Sequence, residues 1–143
     1  MAAETFESEA EIDAFLARVR ACEVTNEEFS HRNHLAMAAC TVLEGHEGSL
    51  DRVRATILAL NAANKVEQTT TGGYHETLTV AWHALVSAHL RSLPDETPRL
   101  LAVNSVLHAF ADKQVLLRHY SRDLLMSWPA RRGFVPPDLS PLP

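Results

Sequence analysis

The chain has 143 residues, of which 46% are hydrophobic and 22% charged, and its formal net charge is -5. This length suits one domain with its own hydrophobic core, and an acidic chain has no general attraction to nucleic acid or anionic lipid. We therefore predict a single domain over residues 1–143 whose partner is a small-molecule substrate, with no nucleic acid, no membrane and a possible homodimer.

The N-terminal sequence MAAETFESEAEID is acidic, whereas a secretory signal begins with basic residues and continues into an apolar stretch. The sequence contains no apolar run of 18 residues, the minimum for a membrane-spanning helix. Cys22 and Cys40 do not form a CxxC motif, so a disulfide framework is not indicated. We expect a cytoplasmic protein.

The first part of the chain predicts two helices. A capping box begins at Ser8, and apolar residues then recur at helical spacing, which predicts a helix over about 9–21. Either Thr25 or Ser30 can cap the second helix, and Gly45 ends it.

Two further helices flank the strongest break in the sequence. The third predicted helix opens at Ser49 and fades after Asn61. The break is the segment EQTTTGG at 67–73, because threonines resist helix formation and two glycines release the backbone. A long helix over about 74–89 follows, since the apolar period continues there without a breaker.

The remaining sequence predicts one or two more helices and a tail. Thr97 can cap the fifth helix with Pro98 in its first position, and a sixth amphipathic stretch runs from after Asp112 to Pro129. The tail, residues 133–143, contains four prolines and predicts an extended strap or a frayed end. The expected fold class is all-α: a bundle of five or six helices with a proline-rich C-terminal tail.

The motif FSHRNHL contains two histidines three residues apart. On a helix, His31 and His34 share one face, the spacing that metal sites in helical bundles use. The motif GGYHETLT supplies His75 and Glu76, and a His-Glu pair on a helix is typical of zinc sites in which the carboxylate takes a proton from bound water.

These motifs predict a divalent metal ion held by His31, His34 and His75. On the fourth predicted helix, His75 shares a face with residues of the interior, and Glu76 is expected as a fourth ligand or as the general base. Three imidazoles suit zinc, whereas two with a carboxylate suit iron or manganese. Inward histidines can also simply satisfy buried hydrogen bonds.

Aromatic and basic residues complete the predicted site. Tyr74 and Trp82 are expected to line a substrate pocket, Tyr120 to donate a hydrogen bond in catalysis, and Arg118 to bind a carboxylate or phosphate of the substrate. The alternative for the aromatic residues is a buried ring with a solvated tip. The alternative for the arginine is a solvated helix face.

Four motifs, FSHRNHL, GYHETLT, LLRHYS and FVPPDLSPLP, cover nearly the full length. Together they resemble the successive motifs of an uncharacterised family of small all-helical bacterial proteins, to which no established activity is attached. The resemblance implies that the strictest positions of the family match a set of polar residues here: His31, His34, Tyr74, His75, Glu76, Thr77, Tyr120 and Ser121.

Two functional hypotheses follow from the sequence. In the first, the protein is a metal-dependent enzyme for a small molecule, with hydrolytic or lyase-type acid/base chemistry; with iron, the corresponding reaction is that of a non-heme iron oxygenase. In the second, the protein is a metal-sensing or partner-binding helical bundle without catalytic activity.

Overall fold

The computed structural model describes residues 4–143, and this part of the chain contains helices and no strand. Within it, no helix combines the length and the apolar character needed to cross a bilayer. The elements in chain order are α1 (Glu9–Arg20), α2 (His31–Glu44), α3 (Ser49–Ala63), α4 (Glu76–Ser92), α5 (Arg99–Ala109), a 3-10 helix (Lys113–Arg118), α6 (Arg122–Leu125) and α7 (Trp128–Arg132).

Side-chain caps explain where the first two helices begin. Ser8 Oγ accepts a hydrogen bond from the backbone N–H of Glu11 at 3.2 Å, and Ser30 Oγ accepts one from that of Asn33 at 3.3 Å. These bonds satisfy N–H groups that have no partner inside the helix. Of the two predicted caps for α2, the cap is therefore Ser30, and Gly45 follows the last residue of the helix as predicted.

The beginning of α4 differs from the prediction. The helix starts at Glu76, and His75 is its N-cap residue, with extended backbone angles (φ -132, ψ 104). The imidazole takes the place of a Ser or Asp cap, because its Nδ1 accepts a hydrogen bond from the N–H of Leu78 at 3.1 Å. The prediction that His75 lies on a face of this helix was therefore wrong.

The predicted sixth helix is three shorter elements. Ser121 and Ser127 interrupt it, because each hydroxyl caps a new short helix: α6 through the N–H of Leu124 and α7 through the N–H of Ala130. Pro129 does not end a helix. It lies in the first turn of α7, where a missing N–H costs nothing.

The centre of the fold is α2, which packs against α3, α4 and α5. Small side chains cover much of its buried surface, so that neighbouring helices approach it closely. Its buried residues are Leu35, Ala36, Met37, Ala38, Ala39, Cys40 and Val42. This packing fixes the N-terminal turn of α2, which carries His31 and His34, against the rest of the core.

Residues 133–143 contain no helix and are hydrogen-bonded to the bundle. The hydroxyl of Thr77 donates to Gly133 O at 3.0 Å and accepts from the N–H of Val135 at 3.1 Å. Tyr120 donates from its hydroxyl to Val135 O at 2.7 Å. The segment therefore joins the beginning of α4 to the short helices that precede it.

Candidate functional site

A cleft of about 600 Å³ opens between α2, α3, α4 and the segment that contains the 3-10 helix and α6. This volume is in the range of small-molecule sites. Five of the residues predicted for the site line the cleft: His31, His34, Tyr74, His75 and Trp82.

His34 is held by one of its two ring nitrogens. Nδ1 donates to the carbonyl oxygen of Ser30 at 2.9 Å, since a carbonyl can only accept, and the ring stacks on Phe29 with centroids 3.6 Å apart. Among residues 4–143, Nε2 has no hydrogen-bond partner. Burial lowers the pKa of His34, and the neighbouring His31 lowers it further. The ring is therefore neutral near pH 7, with an accepting nitrogen at Nε2.

His31 is held in the complementary way. Its Nε2 donates to Phe110 O at 2.8 Å, and the ring lies against Trp82 with centroids 4.9 Å apart. In the described part of the chain, its Nδ1 has no partner. The N-terminal turn of α2 thus brings two imidazoles to the cleft wall, each with one nitrogen fixed by a backbone carbonyl.

The ring of His75 uses both nitrogens inside the protein. Nε2 donates to Leu125 O at 2.7 Å, while Nδ1 accepts from the N–H of Leu78. The residue is buried, with 6% of its surface exposed, and burial lowers its pKa. No lone pair of this imidazole is left for a metal ion.

The predicted three-histidine metal site does not fit this geometry. Across residues 4–143, no three or more His, Cys, Asp or Glu side chains form a group that could hold a metal ion. Binding through His75 would require both of its backbone hydrogen bonds to break. On α2, the ring nitrogens that have no partner among the described residues are Nδ1 of His31 and Nε2 of His34.

Glu76 is held by Arg54 of α3. The guanidinium donates from Nε to Oε1 at 2.9 Å and from Nη2 to Oε2 at 2.8 Å, and the Tyr74 hydroxyl donates to Oε1 at 2.5 Å. This pairing with Arg54 holds the pKa of Glu76 below its ordinary value, while burial, together with the Glu76 carboxylate, raises the pKa of Tyr74 to about 12. The carboxylate is thus ionised and engaged, and it does not line the cleft.

Two other predicted residues lie outside the cleft. Tyr120 is fully buried, and its hydroxyl is engaged by the backbone of residue 135. Arg118 is exposed on the 3-10 helix. Neither side chain is near enough to the predicted substrate pocket to line it.

Other polar residues, outside the set predicted for the site, also line the cleft. His83 lines it, with Nε2 2.7 Å from the hydroxyl oxygen of the buried Ser49. Lys113 and Arg122 line it as well. Only the packing of distant segments brings these residues to one cleft.

No family model, curated protein or solved structure matches this chain. The geometry of the cleft is therefore the basis on which its chemistry is inferred.

Proposed function

We propose that the protein is an enzyme acting on a small molecule bound in the cleft, with His34 as its acid/base group. One observation carries the proposal: the Ser30 carbonyl holds the Nδ1–H of His34 at 2.9 Å, which fixes the tautomer with a proton-accepting Nε2. A general base needs both a defined orientation and a pKa below or near the working pH. His34 has both properties, because the Ser30 carbonyl orients its ring and burial lowers its pKa.

His31 supports the same chemistry. It lines the same cleft as His34, and its Nδ1 is the second accepting nitrogen at the cleft wall. One imidazole can take a proton from the substrate while the other, once protonated, returns one. Trp82 and apolar side chains of α3 supply a surface on which the substrate body can pack.

A second candidate is the metal-dependent form of the reaction. In metal sites, a ligating histidine donates its other ring N–H to a backbone carbonyl or carboxylate, and both His31 and His34 do so. Zinc, iron or manganese would be held by these two nitrogens, with water or substrate completing the shell. Glu76 could act as a ligand or general base only after its two hydrogen bonds to Arg54 break.

A metabolite screen tests the proposed activity. The untagged protein and the variant His34→Gln are incubated with a panel of small metabolites, with and without added divalent metals, and the consumption of each compound is followed by mass spectrometry. We expect one substrate and product pair to change with the wild type and not with His34→Gln. Equal turnover by both proteins contradicts the role of His34, whereas no turnover at all contradicts the proposed enzyme and favours a non-enzymatic binding module.

Elemental analysis of untagged protein tests the metal-dependent form. A stoichiometric ion that is lost in His34→Gln and retained in Glu76→Gln supports the two-histidine site. Turnover that is unaffected by chelators, in protein without metal, contradicts it and leaves acid/base chemistry by the histidines alone.

A further inference from the structure

The charges around the cleft differ from those of the whole chain. The chain has 18 Asp and Glu against 13 Lys and Arg. Among the described residues that line the cleft, however, Lys113 and Arg122 are cationic and no Asp or Glu is present. The cleft therefore has a basic rim on an acidic protein.

Two carboxylates contact residues that line the cleft: Asp112 accepts from the backbone N–H of Gln114, and Glu76, which contacts Tyr74, is already neutralised. Tyr74 lines the cleft and donates to Glu76, but the two oxygens of that carboxylate accept from Arg54 at 2.9 and 2.8 Å. Within residues 4–143, the ion pairs involve neither Lys113 nor Arg122. Both cations are exposed, and although Asp112 and Asp123 adjoin them in the sequence, neither aspartate forms an ion pair with them.

The two kinds of polar group enter the cleft from different elements. The histidines come from the beginning of α2, whereas Lys113 belongs to the 3-10 helix and Arg122 to α6. Apolar side chains, including Ile57, Trp82 and Leu117, supply much of the remaining lining. A ligand that fits all three features has an apolar body, a reacting group towards the histidines and a negative charge at the rim.

We infer that the cleft binds a small organic anion, a carboxylate or phosphate carried on an apolar body, through Lys113 and Arg122. This inference rests on the proposed function in that it gives the class of its substrate. A guanidinium pairs with either acid group through two parallel hydrogen bonds, and a lysine adds a point charge. In water, the net attraction of each pair is modest and weakens as salt is added.

A matched set of ligands tests the charge preference. The set is 3-phenylpropionate, 3-phenylpropyl phosphate, 3-phenylpropanol and 3-phenylpropylamine, which share one apolar body. Binding is followed by the fluorescence of Trp82 in the variant Trp128→Phe, which removes the other tryptophan of the chain. We expect at least one anion to bind about tenfold more tightly than the alcohol, as two exposed ion pairs would give, and the amine to bind most weakly.

Two double variants test which charges cause the preference for the anion. In the same Trp128→Phe background, Lys113→Ala with Arg122→Ala should remove the advantage of the anion while leaving the affinity for the alcohol unchanged. Arg118→Ala with Arg132→Ala is the control, because it removes two exposed charges from the same part of the chain that do not line the cleft. The control should keep the preference for the anion.

The outcomes separate this inference from the proposed function. Equal affinities across the set, preference for the amine, an equal loss in both double variants or no binding at all would overturn the inference. Selective anion binding without any turnover of metabolites would support the inference and contradict the proposed enzyme. The preference of the phosphate over the carboxylate, or the reverse, identifies the acid group.

Discussion

His75 and His34 each lie close to the beginning of a helix, yet the protein uses the two rings differently. The ring of His75 bridges two backbone groups, the N–H of Leu78 and the carbonyl of Leu125. The ring of His34 is anchored by one nitrogen only, and its other nitrogen has no partner among residues 4–143. The first ring stabilises a junction between segments, and the second has a lone pair that a ligand can use.

The difference shows that proximity of histidines is a weak guide to a metal site. Whether a histidine can bind a metal ion depends on how many of its ring nitrogens already form hydrogen bonds within the protein. Glu76 obeys the same rule, because Arg54 and Tyr74 occupy its oxygens. The junction around residues 74–77 therefore has structural contacts, and the N-terminal turn of α2 has the chemically accessible groups.

The largest expected effect is that of His75→Ala on stability. The substitution removes the cap of α4 and leaves the carbonyl of Leu125 without its partner, so we expect the free energy of unfolding to fall by roughly 2–4 kcal/mol. Urea unfolding followed by circular dichroism measures the change. His34→Ala is the matched control and should lower the free energy by less than about 1 kcal/mol, since it leaves Ser30 and its cap in place.

If both substitutions lower the free energy of unfolding equally, the two histidines do not differ in their structural role. A large loss for His34→Ala with a small loss for His75→Ala would reverse the assignment of the structural and the accessible ring.

A smaller effect is expected for Glu76→Gln. The neutral amide cannot accept from Arg54 at both positions, and the guanidinium keeps only the more exposed Asp51 as a carboxylate partner, so the free energy of unfolding should fall by roughly 1–2 kcal/mol. A double-mutant cycle with Arg54→Met measures the coupling by urea unfolding. Additive effects would show that the ion pair does not hold α3 to α4.

The smallest effect is the pH dependence contributed by His75. Burial, with a smaller contribution from the charge of Arg131, lowers the folded-state pKa of His75 from its ordinary value of 6.5. As the pH falls through 6.5, His75 therefore takes up a proton in the unfolded chain but not in the folded protein. The free energy of unfolding decreases towards acid pH as a result. Between about pH 7.5 and pH 5.5, the free energy of unfolding should fall more in the wild type than in His75→Asn.

Comparing the wild type with His75→Asn also cancels the contribution of the other histidines to the pH dependence. Burial also lowers the pKa values of His34, His83 and His89, but these rings are present in both proteins, so the difference between the two curves isolates His75. Parallel curves would contradict the buried, neutral state of that ring.

The all-helical class could be predicted because its signals are local. The cap at Ser8, the glycine after α2 and the apolar period of α1 each depend on residues within one or two turns. The 3-10 helix and the short helices α6 and α7 could not be predicted in this way. Ser121 and Ser127 interrupt an amphipathic pattern that reads as one helix, and a serine in a helix interior looks the same in sequence as a serine at a cap.

The site could be predicted only in part, for a related reason. His31, His34, Tyr74, His75 and Trp82 line the cleft, and helical spacing explains why the three that lie in helices, His31, His34 and Trp82, face inward. Arg54, which engages both oxygens of Glu76, lies 22 residues from it, and the acceptor of the Tyr120 hydroxyl lies 15 residues away, so no local pattern shows that these polar atoms are engaged.

The bonds between residues 133–143 and Thr77 have a consequence for synthesis on the ribosome. Residues 77 and 135 are 58 positions apart, so the beginning of α4 leaves the exit tunnel long before the segment that completes its hydrogen bonds. Until that segment emerges, Thr77 and Tyr120 are without their native acceptors. The native hydrogen bonds of Thr77 and Tyr120 can therefore form only after residues 133–143 have emerged.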